Sequence, residues 1–333
     1  MNEKIGNQFS GKKVLITGGL GFIGSNLAIR CLSLGADIEI FDNLDINSGG
    51  NLSNILGFES HIKLSMCDLM NYPAVIDSVR GKDYIFNCAA STSHLLSMRE
   101  PRHNLDSNVG GVINLLEAIR LHNSGAVFIQ LGTTTQLGVL IDTPATETHA
   151  EFPLDIYSAN KSVAEKYTLI YSKTYSLNNS VVRLPNIFGP KAAIHSPEFT
   201  FNNYFMGLAL KGENIKVFGG GAQLRNVLYV DDAVEAIMLA AINENSIGEV
   251  FTAAHDEHWS VLEIAEKTMA KMGRGHVECI EWPNTNKLID VGSVVLSGKK
   301  IKDCLGWTPK IKIDEGLIKS KNFYDKYLSY YLK

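Results

Sequence analysis

The chain has 333 residues, of which 45% are apolar and 20% are charged, and its formal net charge is −4. That length is enough for two units around a large core, since a single core rarely grows beyond roughly 250–300 residues. The charge balance excludes a bulk basic field for nucleic acid or acidic lipid, and the lack of any run of about 18 apolar residues argues against a membrane span.

The five cysteines form no C-x-x-C pair and no Cys/His metal spacing, so we predict no metal site. Unpaired thiols are typical of a reducing compartment. The chain starts with the polar residues Met1-Asn2-Glu3-Lys4 and shows no apolar signal region. We therefore expect a cytoplasmic protein with neither a nucleic-acid nor a membrane partner.

Short apolar runs alternate with helical patterns in the first half of the chain. Most of the runs show no polar alternation, and they predict strands at residues 13–17, 37–42, 62–66, 84–88, 126–131 and 180–184. Helical patterns lie between them at residues 21–33, 72–79, 104–122 and 157–176. This alternation is typical of a parallel sheet covered by helices on both faces, and predicts a Rossmann-type, doubly wound α/β fold.

The pattern becomes irregular after about residue 185. Helical segments at residues 200–211, 230–242 and 260–272 are separated by polar or glycine-rich loops. They predict a smaller, mixed α/β domain. We expect one domain of residues 1–185 plus about 226–252, a second of residues 186–225 plus 253–333, and a ligand in the cleft between them.

A glycine-rich turn follows the first strand and opens the first helix. Gly18, Gly21 and Gly24 give the spacing G-x-x-G-x-x-G, with Phe22 and Ile23 between the last two. Glycines here permit a tight turn and a close approach of backbone to a pyrophosphate, and the helix N-terminus offers unpaired N–H groups. Because glycine-rich turns are common, the context of strand and helix carries the prediction of a dinucleotide site.

Asp42 ends the second strand, where a carboxylate can accept hydrogen bonds from both adenosine ribose hydroxyls. It would repel a 2′-phosphate and no arginine follows it, so NAD is favoured over NADP; a solvated strand-end aspartate is the alternative. Other strand ends supply small or polar residues beside the expected cofactor. These further cofactor contacts are Asn43, Asp68, Leu69, Ala89 and Ala90.

Tyr157 and Lys161 lie one turn apart on a predicted helix. A phenol has a pKa near 10, and a neighbouring ammonium together with a positive nicotinamide ring could lower that pKa toward neutrality. Thr133 follows the fifth strand at the same sheet edge, where its hydroxyl could bind the substrate oxygen that loses a proton. Chance Tyr–Lys spacing and a threonine-rich turn are the alternatives.

In this order, the motifs resemble those of the extended short-chain dehydrogenase/reductases, which are NAD-dependent epimerases and dehydratases of nucleotide sugars. The likeness covers nearly the whole chain. Further segments similar to family motifs are SMREP at residues 97–101, NVGGVINLLEA at 108–118, RLPNIFGP at 183–190, RNVLYVDD at 225–232, and LGWTP at 305–309 followed by EGL at 315–317.

The resemblance implies roles for individual residues. It adds Pro185, Tyr157 and Lys161 to the residues that contact NAD. It implies that the first domain binds NAD and the second the nucleotide-diphosphate sugar. It also implies that residues 104–122 and 157–176 form a homodimer interface; the alternative is that their apolar residues pack inside one subunit. The family's second diphosphate arginine, in an R-x-G-D segment, is absent from residues 282–287, where Lys287 could substitute. The residues expected to contact the substrate are Thr92, Thr133, Tyr157, Asn186, Arg225 and Lys287.

One departure from the family narrows the reaction. The 4,6-dehydratases carry an Asp-Glu pair directly after the catalytic threonine, and the decarboxylases a glutamate, whereas this chain has Thr134-Thr135. The remaining groups suit an epimerase that oxidises and reduces a sugar carbon, expected to be C4, through a 4-keto intermediate. The alternatives are a 4-reductase or dehydrogenase, a dehydratase, and a non-catalytic NAD-binding sensor.

Overall fold

A parallel sheet of seven strands lies at the centre of the computed structural model, which describes residues 3–45, 47–283 and 287–332. Residues 1–2, which belong to the N-terminal segment without a signal region, lie outside the described residues. So do residues 284–286, which belong to the segment in which the family's second diphosphate arginine is missing. The strands are β1 Lys13–Thr17, β2 Asp37–Asp42, β3 Ile62–Met66, β4 Tyr84–Asn87, β5 Val127–Thr133, β6 Asn178–Leu184, β7 Asn186–Phe188, β8 Ile215–Phe218, β9 Leu224–Arg225, β10 Val227–Tyr229, β11 Val250–Thr252, β12 Trp259–Ser260 and β13 Val277–Ile280.

The large sheet has the strand order β11-β6-β5-β4-β1-β2-β3, and all of its neighbours are parallel. Alternate side chains of β1 enter different cores: Val14 and Ile16 belong to one buried cluster and Leu15 to another. Because successive side chains of a strand point to opposite faces, both faces of the sheet are covered. The predicted doubly wound α/β fold is confirmed.

Helices cover these faces and fill the C-terminal part of the chain. The helices are α1 Glu3–Phe9, α2 Phe22–Ser33, α3 Tyr72–Val79, α4 His94–Arg99, α5 Pro101–Leu105, α6 Gly111–His122, α7 Ile156–Tyr175, α8 Phe201–Lys211, α9 Val230–Ile242, α10 Val261–Met272, α11 Lys299–Leu305 and α12 Ile313–Tyr327. Among the described residues, no helix combines the length and the apolar character that crossing a bilayer requires.

The local features that differ from the sequence prediction include a divided helix, an additional strand and a short additional helix. The single helix predicted at 104–122 is instead α5 and α6 joined by a π-helical turn, Asp106–Gly110. Strand β11 was not predicted, because three residues give too short a pattern; it extends the sheet by pairing with β6. Helix α4 was also missed, since its six residues are too few to show a helical pattern.

The C-terminal part contains three small two-stranded sheets, formed by β7 with β10, β9 with β12, and β8 with β13. It shares its apolar core with the large sheet, since one buried cluster runs from Val14 in β1 to Met272 at the end of α10 and Tyr324 in α12. The division into two domains at the predicted boundaries stays a prediction.

Candidate active site

A cavity lies at the carboxyl edge of the large sheet. From β1 the chain continues to β2 and β3 on one side of the sheet, and it then returns to β4 on the other side of β1. Folds of this kind bind ligands at such a switch point. Among the predicted site residues, the cavity lining contains Gly18, Gly21, Phe22, Ile23, Gly24, Asp42, Asn43, Asp68, Leu69, Ala89, Ala90, Thr92, Thr133, Tyr157, Lys161, Pro185 and Asn186.

The turn between β1 and α2 has the shape that a dinucleotide requires. Gly18 has φ 63°, and a Cβ there would lie 2.6 Å from the Cα of Ala89. A Cβ on Gly24 would overlap the Gly18 carbonyl oxygen. Helix α2 has no side-chain cap at Gly21, so its first N–H groups remain available to a phosphate. The backbone and donors present therefore fit NAD.

Asp42 is held at the end of β2 by two backbone donors. Leu20 N–H donates to Oδ2 at 3.0 Å and Leu44 N–H to Oδ1 at 2.8 Å. Burial raises the pKa of Asp42, and these two donors act in the opposite direction. Each carboxylate oxygen can accept a second bond, so Asp42 keeps acceptor capacity for ribose hydroxyls. Asn43 and Asp68, which hydrogen-bond each other at 2.7 Å, lie beside it.

The proposed catalytic side chains meet at the inner end of the cavity. Helix α7 begins at Ile156, and the Tyr157 N–H donates to Ser97 Oγ at 3.1 Å, which fixes the first turn. Lys161, one turn later, donates to the Leu131 carbonyl at 2.5 Å. Thr133 ends β5 next to that carbonyl, and its hydroxyl forms a hydrogen bond with the Tyr157 phenol.

The electrostatics of this group differ from the expectation that Lys161 ionises Tyr157. Burial raises the pKa of Tyr157 to about 12, against a smaller lowering by the Thr133 hydrogen bond and a further rise from the charge of Asp155. Burial lowers the pKa of Lys161 to about 8. Ionisation of the phenol at neutral pH therefore requires more positive charge than Lys161 supplies, because that ammonium is turned to the Leu131 carbonyl.

A buried ion network supports the helix that carries Lys161. Glu165, one turn beyond Lys161, receives hydrogen bonds from Arg183 at 2.8 and 2.6 Å, and both side chains are almost fully buried. Gln136, in the turn after Thr133, donates to Glu165 at 2.9 Å. These contacts hold β5, β6 and α7 in register, and the charge of Glu165 raises the pKa of Lys161 against the effect of burial.

Two of the predicted substrate residues lie outside the cavity lining. Arg225 contacts Asp290 at 3.1 Å and donates to two backbone carbonyls, and Lys287 is exposed. Neither side chain therefore brings a positive charge into the described cavity, where it could bind the diphosphate of a sugar nucleotide. Thr92 and Asn186 do line it.

Several cavity residues were not predicted from the sequence. The loop after β7 contributes Phe199 and Thr200, the first turn of α8 contributes Asn203, and the start of α4 contributes His94. His94 follows the carboxyl end of β4 by a few residues, and that position was the one available signal for it. Among the described residues, no cluster of three or more His, Cys, Asp or Glu side chains could hold a metal ion.

Comparison with known proteins gives a consistent set of relatives. The family model described as GDP-mannose 4,6 dehydratase matches residues 15–320. The Haloferax volcanii low-salt glycan biosynthesis protein Agl12 is 30% identical over 313 residues, which cover 93% of this chain and 98% of that protein.

Two solved structures extend this likeness to the fold. The crystal structure of Thermotoga maritima UDP-glucose 4-epimerase with UDP-glucose matches with a TM-score of 0.85 and 28% identity, covering 95% of this chain and 99% of that one. The Bacillus anthracis dTDP-glucose 4,6-dehydratase in complex with NAD matches with a TM-score of 0.82 and 25% identity, covering 95% and 97%.

Proposed function

The chain belongs to the GDP-mannose 4,6-dehydratase family, whose enzymes use NAD and act on nucleotide sugars, and we propose that it is a nucleotide-sugar epimerase acting at C4. This membership confirms the resemblance to the extended short-chain dehydrogenase/reductases and confirms NAD as the cofactor.

One observation carries the choice of reaction. Thr133, Tyr157 and Lys161 line one cavity, while the two positions after Thr133 are Thr134 and Thr135. The first three groups suffice to oxidise an alcohol and to reduce the ketone again. Elimination of water or loss of carbon dioxide needs an additional acid–base group, which the family places at the two positions that are threonines here.

The mechanism assigns each group one task. The glycine turn and Asp42 would hold NAD, which would supply a reversible acceptor for the hydride of the sugar carbon. Tyr157 takes the proton of the sugar hydroxyl and gives it back, Thr133 holds that oxygen by a hydrogen bond, and Lys161 stabilises the phenolate electrostatically. The 4-keto sugar turns about its diphosphate before reduction, so that the opposite face is presented.

The proposed binding sites use residues of both predicted domains. The glycine turn, Asp42 and the strand ends hold NAD, and Thr92 and Asn186 contact the nucleotide sugar. Contacts from Arg225 and Lys287 to the diphosphate require the substrate to extend beyond the described cavity. We further propose a cytoplasmic homodimer; the five cysteines are free, as in a reducing compartment.

The test is to mix the purified protein and NAD with a panel of UDP-, dTDP-, CDP- and GDP-sugars. We expect interconversion of two epimers at C4 without stoichiometric NADH, and a loss of about 10²–10⁴-fold in kcat for Tyr157→Phe. Stoichiometric NADH identifies a dehydrogenase, and consumption of added NADH a reductase. A dehydrated product identifies a dehydratase, and NAD binding without any turnover identifies a sensor.

A further inference from the structure

His94 and Asp155 form a hydrogen-bonded pair beside Tyr157. His94 Nδ1 lies 2.8 Å from Asp155 Oδ2, across 61 positions of sequence. The imidazole ring meets the ring of Tyr157 edge-on, with centroids 5.0 Å apart and planes at 83°. His94 lines the same cavity as Tyr157 and keeps 35% of its side chain exposed, whereas Asp155 keeps 4%.

The carboxylate fixes how the imidazole presents its second nitrogen. Burial acts to raise the pKa of Asp155, but hydrogen bonds from His94 and from Ser158 bring it below its ordinary value. An ionised carboxylate can only accept, so the Nδ1 that faces it carries a proton. Nε2 then holds the lone pair of a neutral ring, and no described residue is hydrogen-bonded to it. That arrangement is the one a general base requires.

In the proposed epimerase reaction Tyr157 is the acid–base group, and the His94–Asp155 pair lies beside it in the same cavity. Positions 134 and 135 carry no carboxylate, but α4 and the first turn of α7 bring a second proton-transfer group to the cavity. We propose that His94, positioned by Asp155, exchanges a proton with a sugar carbon next to the C4 ketone. This inference rests on the proposed function, because it needs oxidation at C4 to occur.

The step is balanced and needs no further reactant. His94 Nε2 takes the proton from the carbon next to the ketone. The C–H electron pair becomes a carbon–carbon double bond, and the carbonyl π pair moves onto the oxygen, which Thr133 and Tyr157 can stabilise. Return of a proton from Nε2 restores the ketone with no net change in oxidation state. Because the ring is partly exposed, its proton exchanges with water, and the returned proton comes from solvent.

A purely structural role is the competing interpretation, in which the pair only joins α4 to the N-terminus of α7. Asp155 is the N-cap of α7 and accepts the Ser158 N–H at 2.8 Å. Asparagine is an equally good N-cap, so Asp155→Asn keeps that bond and removes the carboxylate. His94→Gln keeps a polar side chain without an imidazole. Exposed His276, far along the chain in the loop before β13, provides the matched control His276→Gln.

The experiment follows carbon-bound deuterium during turnover in D₂O with NAD and the same sugar-nucleotide panel. Hydride held on the cofactor brings no solvent deuterium to C4, so any label reports a proton step. We expect deuterium at C3 or C5 of the sugar when it is incubated with the wild type or with the His276 variant. Incorporation should be about 100-fold slower or more in His94→Gln, and reduced in Asp155→Asn. Thermal shift by NAD, unchanged across the variants, confirms that the fold and the cofactor site remain intact.

Each result decides the question. Turnover without carbon-bound deuterium overturns the inference and leaves the epimerase proposal standing. Deuterium incorporated at the wild-type rate by His94→Gln overturns the role of His94. Absence of turnover with every sugar nucleotide contradicts the proposed function, and the inference fails with it.

Discussion

Lys161 carries its positive charge in a buried environment, and burial disfavours the charged form of the side chain. Its side chain is buried, and burial lowers its pKa from 10.5 to about 8, although the charge of Glu165 acts to raise it. At neutral pH the ammonium persists and is bonded to the Leu131 carbonyl. The native fold therefore loses stability by keeping a positive charge in the cavity that Tyr157 also lines, and such a loss of stability is common at active sites.

The lowered pKa of Lys161 predicts how the substitution Lys161→Met changes stability with pH. Between pH 8 and 10.5 the unfolded chain binds more protons than the native one, so stability rises with pH in that window. At pH 7 the variant should be more stable than the wild type by at most about 3 kcal/mol, and the advantage should shrink as pH rises toward 10.5. Turnover should be lost. Calorimetry at pH 7 and pH 10 measures the difference; exposed Lys302→Met is the control, and an advantage that grows with pH contradicts the assignment.

At the scale of elements, the contact between β1 and α2 depends on Gly24. A Cβ there would overlap the Gly18 carbonyl oxygen and approach the Gly19 Cα to 2.9 Å, so the helix must shift from the turn. We expect Gly24→Ala to cost about 1–3 kcal/mol of unfolding free energy and to weaken NAD binding, measured by urea denaturation and by NADH fluorescence titration. Gly6 in α1 has nothing within 4 Å, so Gly6→Ala should be neutral or slightly stabilising. Equal effects of the two variants would exclude this explanation.

The packing of α7 on β6 depends on the pair Arg183–Glu165. Glu165→Ala removes the main partner of a guanidinium that is 1% exposed, and we expect it to lower the unfolding free energy by about 3–5 kcal/mol. The double variant Arg183→Met/Glu165→Met should recover most of that loss, because no buried charge is then left without a partner. The exposed pair Lys321–Asp325 is the control, since Lys321→Ala should cost below about 1 kcal/mol. A double variant as unstable as Glu165→Ala would contradict the electrostatic account.

At the scale of the whole molecule, an apolar stripe on α7 faces outward. Val163 and Ile170 are 37% and 51% exposed, and Tyr167 lies between them at helical spacing, so the three share one face. A second copy of the chain would remove this stripe from water in the proposed homodimer. We expect Ile170→Glu to convert dimers to monomers in size-exclusion chromatography with light scattering. Ile318→Glu on α12, 47% exposed in the wild type, should leave the dimer intact. A wild-type monomer would refute the interface.

The sequence determined the parts of this protein that depend on neighbours in the chain. Apolar runs indicated most of the buried parallel strands, because strands covered on both faces are apolar at most positions. The spacing of Gly18, Gly21 and Gly24 indicated the dinucleotide turn, because the backbone of one short segment sets that geometry. The four-residue spacing of Tyr157 and Lys161 likewise placed both on one helix face.

Only the tertiary structure decided which charges meet. His94 faces Asp155 across 61 positions, and Arg225 turns to Asp290 rather than to the cavity. Burial, which raises the pKa of Tyr157 and lowers that of Lys161, sums contributions from strands and helices far apart in the chain. Electrostatic energy depends on distance in space and on exclusion of water, and a local sequence pattern contains neither quantity.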